Sequence, residues 1–139
     1  MNLEARRQSI ANRAEQAIDI PFRLHGRSVA KGLDCVGLVA HAISPLILGT
    51  TIPQHYSLRF GDLSAVNQFF GPFDFLSICP SSSMMSGDII VTAPSVNQLH
   101  FLIITGKNYV HAHAGLRRIV KSNLPVLTPI KMIWRYQGD

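Results

Sequence analysis

Apolar positions along the chain change their period once. In the first third they recur at helical spacing. Leu3, Ile10, Ala14 and Ala17 fall on one face, which predicts an amphipathic helix over residues 3–18. Ile20-Pro21 predicts its end, because the residue before a proline avoids the helical region. Residues 21–33 carry Arg23, Gly26, Arg27, Lys31 and Gly32 and read as a basic loop. A second helix is predicted to start at Asp34 or Cys35 and to stop at Ser44-Pro45. Val36, Leu38, Val39, Ala42 and Ile43 cover nearly all its sides, the pattern of a buried helix. Leu63, Val66, Phe69 and Phe70 predict a short helix with Asp62 near its start, broken by Gly71-Pro72, and residues 80–87 read as a serine-rich loop. From Asp88 onward the pattern is that of strands, at 88–92, 99–105, 109–113, 117–122 and 130–135. Gly106-Lys107-Asn108 is expected as a three-residue hairpin connection and Ala114-Gly115 as a second turn. Helices followed by a meander of strands predict an α+β domain, with the N-terminal helices packed on an antiparallel sheet.

Composition narrows the class. At 139 residues the chain is expected to form a single domain over residues 1–139, since domains average about 150 residues. Hydrophobic residues make up 47% and charged residues 15%, which excludes a disordered chain. Thirteen Lys and Arg against eight Asp and Glu leave a net charge of +5, too little over a whole domain to point to nucleic acid. Two cysteines cannot form a disulfide framework. The first residues carry Glu4, Arg6, Arg7, Arg13 and Glu15 where a secretory signal would be apolar, so no signal peptide is expected. Leu33–Leu48, the most apolar stretch, contains Asp34, His41 and Pro45 and is too short and polar to insert in a membrane. A soluble chain, cytoplasmic when made, is the expectation.

Cys35 is the first residue that could carry chemistry. Its position in the first turn of a buried helix puts the sulfur near unpaired backbone N–H groups, which favour an anion. Thiolate is the nucleophilic form, so the thiol is expected to titrate below the ordinary value of about 8.5, although the neighbouring Asp34 carboxylate opposes this. A thiol nucleophile also needs a base that can protonate the leaving amine, and histidine serves both steps at neutral pH. His100 opens an otherwise apolar strand. His111 and His113 sit two residues apart on the next strand and therefore share one face. Cysteine, histidine and a third group orienting that histidine form the general triad arrangement, and spacing alone leaves both His111 and His113 open as the third group.

These residues resemble the NlpC-type cell-wall cysteine peptidases, a papain-like family. The resemblance rests on Gly32-Leu33-Asp34-Cys35-Val36-Gly37-Leu38-Val39, on Ser86-Gly87-Asp88-Ile89-Ile90-Val91, on His100 and on Tyr109-Val110-His111-Ala112, in family order across residues 17–122. Pro21–Ser28 and His111–Gly115 look like the subset found in phage tails and gene-transfer-agent clusters. The resemblance implies Cys35 as nucleophile, His100 as base and His111 as the residue orienting His100. It also implies hydrolysis of peptidoglycan stem peptides at the γ-D-glutamyl–diamino acid bond, through an acyl-enzyme and without cofactor or metal. Asp34 would help recognise a substrate amino group, and His113 would line the cleft or contact substrate. Phage-like tail proteins are the further partners implied, with delivery on a tail or virion.

Two positions depart from the family pattern. Val36 stands where many relatives carry Ser. Phe22 stands in a Pro-Tyr-x-x-Gly-Gly element where they carry Tyr, which makes His25 a candidate to replace the missing hydroxyl. Cys79, His41, His55 and Tyr56 are read as packing or surface residues, and Trp134 as closing the core from the last strand. Competing readings are a non-catalytic phage-tail assembly module on the same fold, an amidase or acyltransferase using the same triad, and a zinc site built from Cys35, His100, His111 and His113.

Overall fold

Among the described residues, three α-helices cover one side of a six-stranded antiparallel sheet. The computed structural model describes residues 2–47, 63–71, 73, 76–78, 84–96 and 98–138. Helix α1 runs over Leu3–Gln16, with the Asn2 side chain accepting the N–H of Ala5 as its N-cap. Ile10, Ala11 and Ala14 are its buried residues, while Leu3, expected on the same face, is 37% exposed. The helix ends before the Ile20-Pro21 signal. Asp19 takes a left-handed conformation at φ 75°, and its N–H crosses to the carbonyl of Ile119. Helix α2 spans Cys35–Ile43 and continues as a 3₁₀ turn, Ser44–Leu46. Seven of its nine residues are buried, as its all-round apolar sequence requires. Helix α3, Leu63–Phe70, buries Val66, Phe69 and Phe70.

The stretch read as a basic loop contains two short strands, β1 (Arg27–Ser28) and β2 (Gly32–Leu33), paired antiparallel. Two-residue strands are too short to show alternation. What holds the segment is close packing. A Cβ on Gly26 would collide with the Gly32 carbonyl, and one on Gly37 with the Gly26 carbonyl. Strand β3 (Leu76–Ile78) also went unread, because three residues carry no period.

The five remaining strands are β4 Ile89–Ser95, β5 Gln98–Thr105, β6 Asn108–His113, β7 Arg118–Asn123 and β8 Ile130–Tyr136; each bound lies within one residue of the expected one except the end of β4, which runs three residues further. Their order in the sheet is β3-β8-β4-β5-β6-β7. Thr105 pairs with Asn108, so the β5–β6 connection is the two residues Gly106-Lys107, one fewer than expected. Gly106, at φ 67°, supplies the positive dihedral such a turn needs.

Alternation along the strands gives the sheet two unlike faces. Phe101, Ile103, Val110 and Ala112 join the helices in the main core, where Trp134 stacks on Phe70 with ring centroids 4.7 Å apart. Ile90, Leu102, Ile104 and Ile133 form a smaller cluster on the other face. Asp88 and Arg135 meet inside in a two-pronged ion pair, with nitrogen–oxygen distances of 2.8 and 2.7 Å. The Asp88 carboxylate also accepts the N–H of Met85. The Gly-Asp signal before β4 therefore belongs to the architecture. Among the described residues no helix is long and apolar enough to cross a membrane.

Candidate active site

The β5–β6 ladder pairs Ile103 with Val110, Ile104 with Tyr109 and Thr105 with Asn108. His100 lies on β5 and His111 and His113 on β6 beyond those pairs, where the recorded ladder stops. The N-terminus of α2 meets β5 at this place, where the backbone N–H of Phe101, one residue after His100, favours a charge on the Cys35 sulfur. A cavity of about 770 Å³ joins the helix end to the histidine strands. Cys35, His100, His111 and His113 all line it, as do Asp34, His25 and Phe22. Every residue singled out from the sequence as catalytic or substrate-binding therefore borders one space.

The histidines form a row. The rings of His100 and His111 meet edge to face at 80°, with centroids 5.7 Å apart, and those of His111 and His113 lie 5.8 Å apart. His113 is tied to the following turn, its Nδ1 accepting the N–H of Leu116 at 3.0 Å. Its ring proton therefore sits on Nε2. Gly115 passes close under the same ring, where a Cβ would approach Cε1 to 3.0 Å.

Asp34 is turned toward the protein. As the N-cap of α2 it accepts the Gly37 N–H at 2.8 Å, and it also takes the His25 N–H at 2.7 Å. Arg27 lies 3.3 Å from the same carboxylate, whose side chain is 5% exposed. The basic loop thus compensates the one carboxylate next to the thiol. His25, at φ 59°, keeps its left-handed backbone through this bond. Phe22 is fixed by its N–H to the Arg117 carbonyl at 2.9 Å.

Burial decides the protonation states. Desolvation pushes the Cys35 thiol up to about 12, and the Asp34 charge adds to it. The backbone N–H groups of Phe101, Val36 and Cys35 pull the other way and are outweighed. The expected lowering of the thiol is therefore not what the structure gives. Desolvation likewise lowers His100 to about 4, helped by His111 and His113, and lowers His111 to about 4, helped by His113. The resting pair is neutral thiol and neutral imidazole.

Other lining residues were given no role from the sequence. Tyr109, part of the family-like element but assigned nothing, precedes His111 by two positions and so shares its face. Its ring centroid is 5.0 Å from that of His111, and period-two counting extended one step back would have put it at the site. Leu127 and Thr128 come from the connection before β8, where no local pattern marks them. His41, read as a packing residue, is half-buried on α2, its ring Nδ1 3.4 Å from the Arg13 guanidinium. Trp134 closes the core at 6% exposure. Cys79, His55, Tyr56 and Asp62 lie outside the described residues, as do residues 80–83 of the serine-rich loop. Among the described residues no group of three or more His, Cys, Asp or Glu is arranged to hold a metal ion.

No protein-family model and no curated protein sequence matches the chain. Solved structures do. The P60 domain from an antigen of M. avium subspecies paratuberculosis superposes with a TM-score of 0.64 at 18% identity, covering 96% of each chain. The fold is that of the NlpC/P60 domains. The peptidoglycan hydrolase RipB of Mycobacterium tuberculosis gives a TM-score of 0.62 at 18% identity, over 99% of this chain and 67% of that one. NlpC2 from Trichomonas vaginalis gives 0.67 at 17% identity, over 94% of this chain and 47% of that one. In this chain the fold brings the N-terminus of α2 to the cavity that His100 of β5 and His111 and His113 of β6 also line. Likeness at such identities speaks for architecture, and the chemistry has to be argued from the side chains.

Proposed function

We propose that the protein is a cysteine peptidase acting on peptidoglycan stem peptides, with Cys35 as nucleophile, His100 as base and His111 orienting His100. The observation that carries this reading is the convergence of all three side chains on one 770 Å³ cavity at the N-terminus of α2. The presence of peptidoglycan hydrolases among the structural neighbours supports this substrate class. The bond would be that between γ-D-glutamate and the diamino acid.

In this reading the neutral His100 takes the thiol proton as Cys35 attacks the scissile carbonyl. The Cys35–acyl bond forms, and the C–N bond breaks as His100 returns the proton to the leaving amine. Water, deprotonated by the same imidazole, then releases the acid and restores the thiol. The Cys35 backbone N–H at the helix end suits the developing oxyanion. Asp34, His25, Phe22 and His113 are substrate-side residues in this scheme. His113 Nε2–H is a ready donor, and Asp34 acts with a charge moderated by Arg27. Delivery on a phage-like tail belongs to the same proposal.

Incubation with defined muropeptides, with products identified by mass spectrometry, tests the reading. Cys35→Ala and His100→Ala are expected to end turnover, and His111→Ala to leave a fraction of it. His113→Ala is expected mainly to raise KM, the mark of lost uniform binding. Hydrolysis that survives Cys35→Ala would refute the proposal. A larger kcat loss from His113→Ala than from His111→Ala would exchange the two roles.

A further inference from the structure

The sheet places one more polar side chain against the imidazole row. In the β6–β7 register Tyr109 pairs with Ser122 and His111 with Val120. Ser122 is thus the diagonal neighbour of His111 on the same face, a separation that a long or aromatic side chain spans. The Ser122 Oγ lies 3.1 Å from His111 Nε2. The backbone of Ser122 is fixed by its pairing with Tyr109, and the Tyr109 ring packs against the imidazole at 5.0 Å. Hydroxyl and ring therefore have little freedom to part.

A neutral imidazole carries one N–H and one lone pair. With Nε2 engaged by Ser122, the other polar atom of the ring is Nδ1, and the neighbouring imidazole is that of His100. If Nε2 holds the proton, Nδ1 carries a lone pair that can accept an N–H of His100, whose ring is 5.7 Å away between centroids, and His100 keeps its other nitrogen unprotonated, as its role as base requires. If Nδ1 holds the proton, two donors oppose each other and His100 loses its orienting partner. We propose that Ser122 is a positioning residue that accepts the Nε2–H of His111 and so fixes the tautomer in which His111 can orient His100. This rests on the assignment of Cys35, His100 and His111 proposed above.

The test uses the full chain labelled with ¹⁵N-histidine and reads tautomers from long-range ¹H–¹⁵N correlation spectra at pH 7.5, with turnover of a muropeptide measured in parallel. His111 is expected in the Nε2–H form in the wild-type protein and in Ser122→Thr, which keeps the hydroxyl. Ser122→Ala is expected to shift His111 toward Nδ1–H and to lower kcat about tenfold at unchanged KM, the scale of one lost hydrogen bond. Ser122→Thr should stay within about threefold of the wild type on the same scale. A wild-type His111 found as Nδ1–H overturns the proposal, and so does a Ser122→Ala protein with wild-type tautomer and kcat. Should Ser122→Ala fail to fold, the wild-type and Ser122→Thr spectra decide alone. A wild-type protein with the Nε2–H tautomer and no activity on any peptidoglycan peptide would refute the proposed function while leaving the control of the tautomer standing.

Discussion

Replacing His100 by Gln should remove about half of a specific loss of stability in acid. His100 and His111 titrate at about 4 in the folded protein, through desolvation first and neighbouring imidazoles second. In the unfolded chain each titrates near the ordinary value of about 6.5. Between those values the unfolded state binds more protons than the folded state, so stability rises with pH across the window. The contribution is complete above about pH 6.5 and is lost as the pH falls toward 4. For one such group the linkage integral from pH 7.5 to pH 5 is about 2 kcal/mol, and for the pair about 4 kcal/mol. Urea unfolding followed by the fluorescence of Trp134, buried against Phe70, reads the change at the two pH values. A difference of 2 kcal/mol moves the midpoint by roughly 1 M for a chain of this size. Carboxylates elsewhere titrate alike in both proteins and cancel in the comparison. An acid-induced loss as large in His100→Gln as in the wild type would show that His100 is not held neutral by burial, and the argument for a neutral resting pair would fall with it. The same values bear on turnover. The base form of His100 persists to about pH 4, so kcat/KM should stay flat from pH 7 to pH 5 where an ordinary histidine would already have cost activity.

Two further outcomes follow from the packing around Cys35. Gly37→Ala should destabilise by about 2 kcal/mol or more, since the new Cβ meets the Gly26 backbone carbonyl, which cannot swing aside as a side-chain tip can; a melting temperature within a degree of the wild type would contradict this. Alkylation of Cys35 by iodoacetamide, mapped by mass spectrometry, should remain slow from pH 7 to pH 9 in the substrate-free protein, because burial holds the thiol protonated. Rapid labelling below pH 8 would mean that the thiolate is preformed.

Much of the fold was readable because its long elements are periodic. β6 and β7 alternate, with Val110 and Ala112 turned in and His111 and His113 turned out, while β4, β5 and β8 were readable as apolar runs bounded by turn residues, buried on both faces over most of their length. α2 was readable for the opposite reason: apolar residues on every side demand burial. What escaped were elements whose stability is entirely tertiary. β1 and β2 are two residues each, and β3 is paired to β8 through Leu76↔Tyr136 at a distance of sixty residues. The end of α1 was misjudged because the chain leaves the helix to bond Ile119, a partner that no local signal announces. The turn at Gly106-Lys107 lost a residue to Asn108, which the ladder takes up.

The site was legible in its members and illegible in its charge state, and the two outcomes have one origin. Cys35, His100, His111 and His113 were found because helix position and strand parity fix where side chains point. Parity is a property of the sequence. The pKa of a thiol at a helix end is a sum of opposed contributions whose sizes depend on what packs over it. Seen alone, the helix N-terminus favours thiolate by a modest amount, of the order of the helix-end effect on any anion, about 1 kcal/mol. Desolvation of a charge in an apolar surround is worth several times that, and Cys35 packs against the main core. Asp34 was read as opposing the thiolate, and it does; that Arg27 reaches back to compensate it required the hairpin that the sequence hid. Burial thus raises the thiol and lowers the imidazole together, and the separation between them is widest when the cavity holds no charge. In the proposed mechanism the Cys35 backbone N–H stabilises the oxyanion that forms on the substrate carbonyl, so proton transfer from Cys35 to His100 would accompany attack and would not precede it in the resting protein.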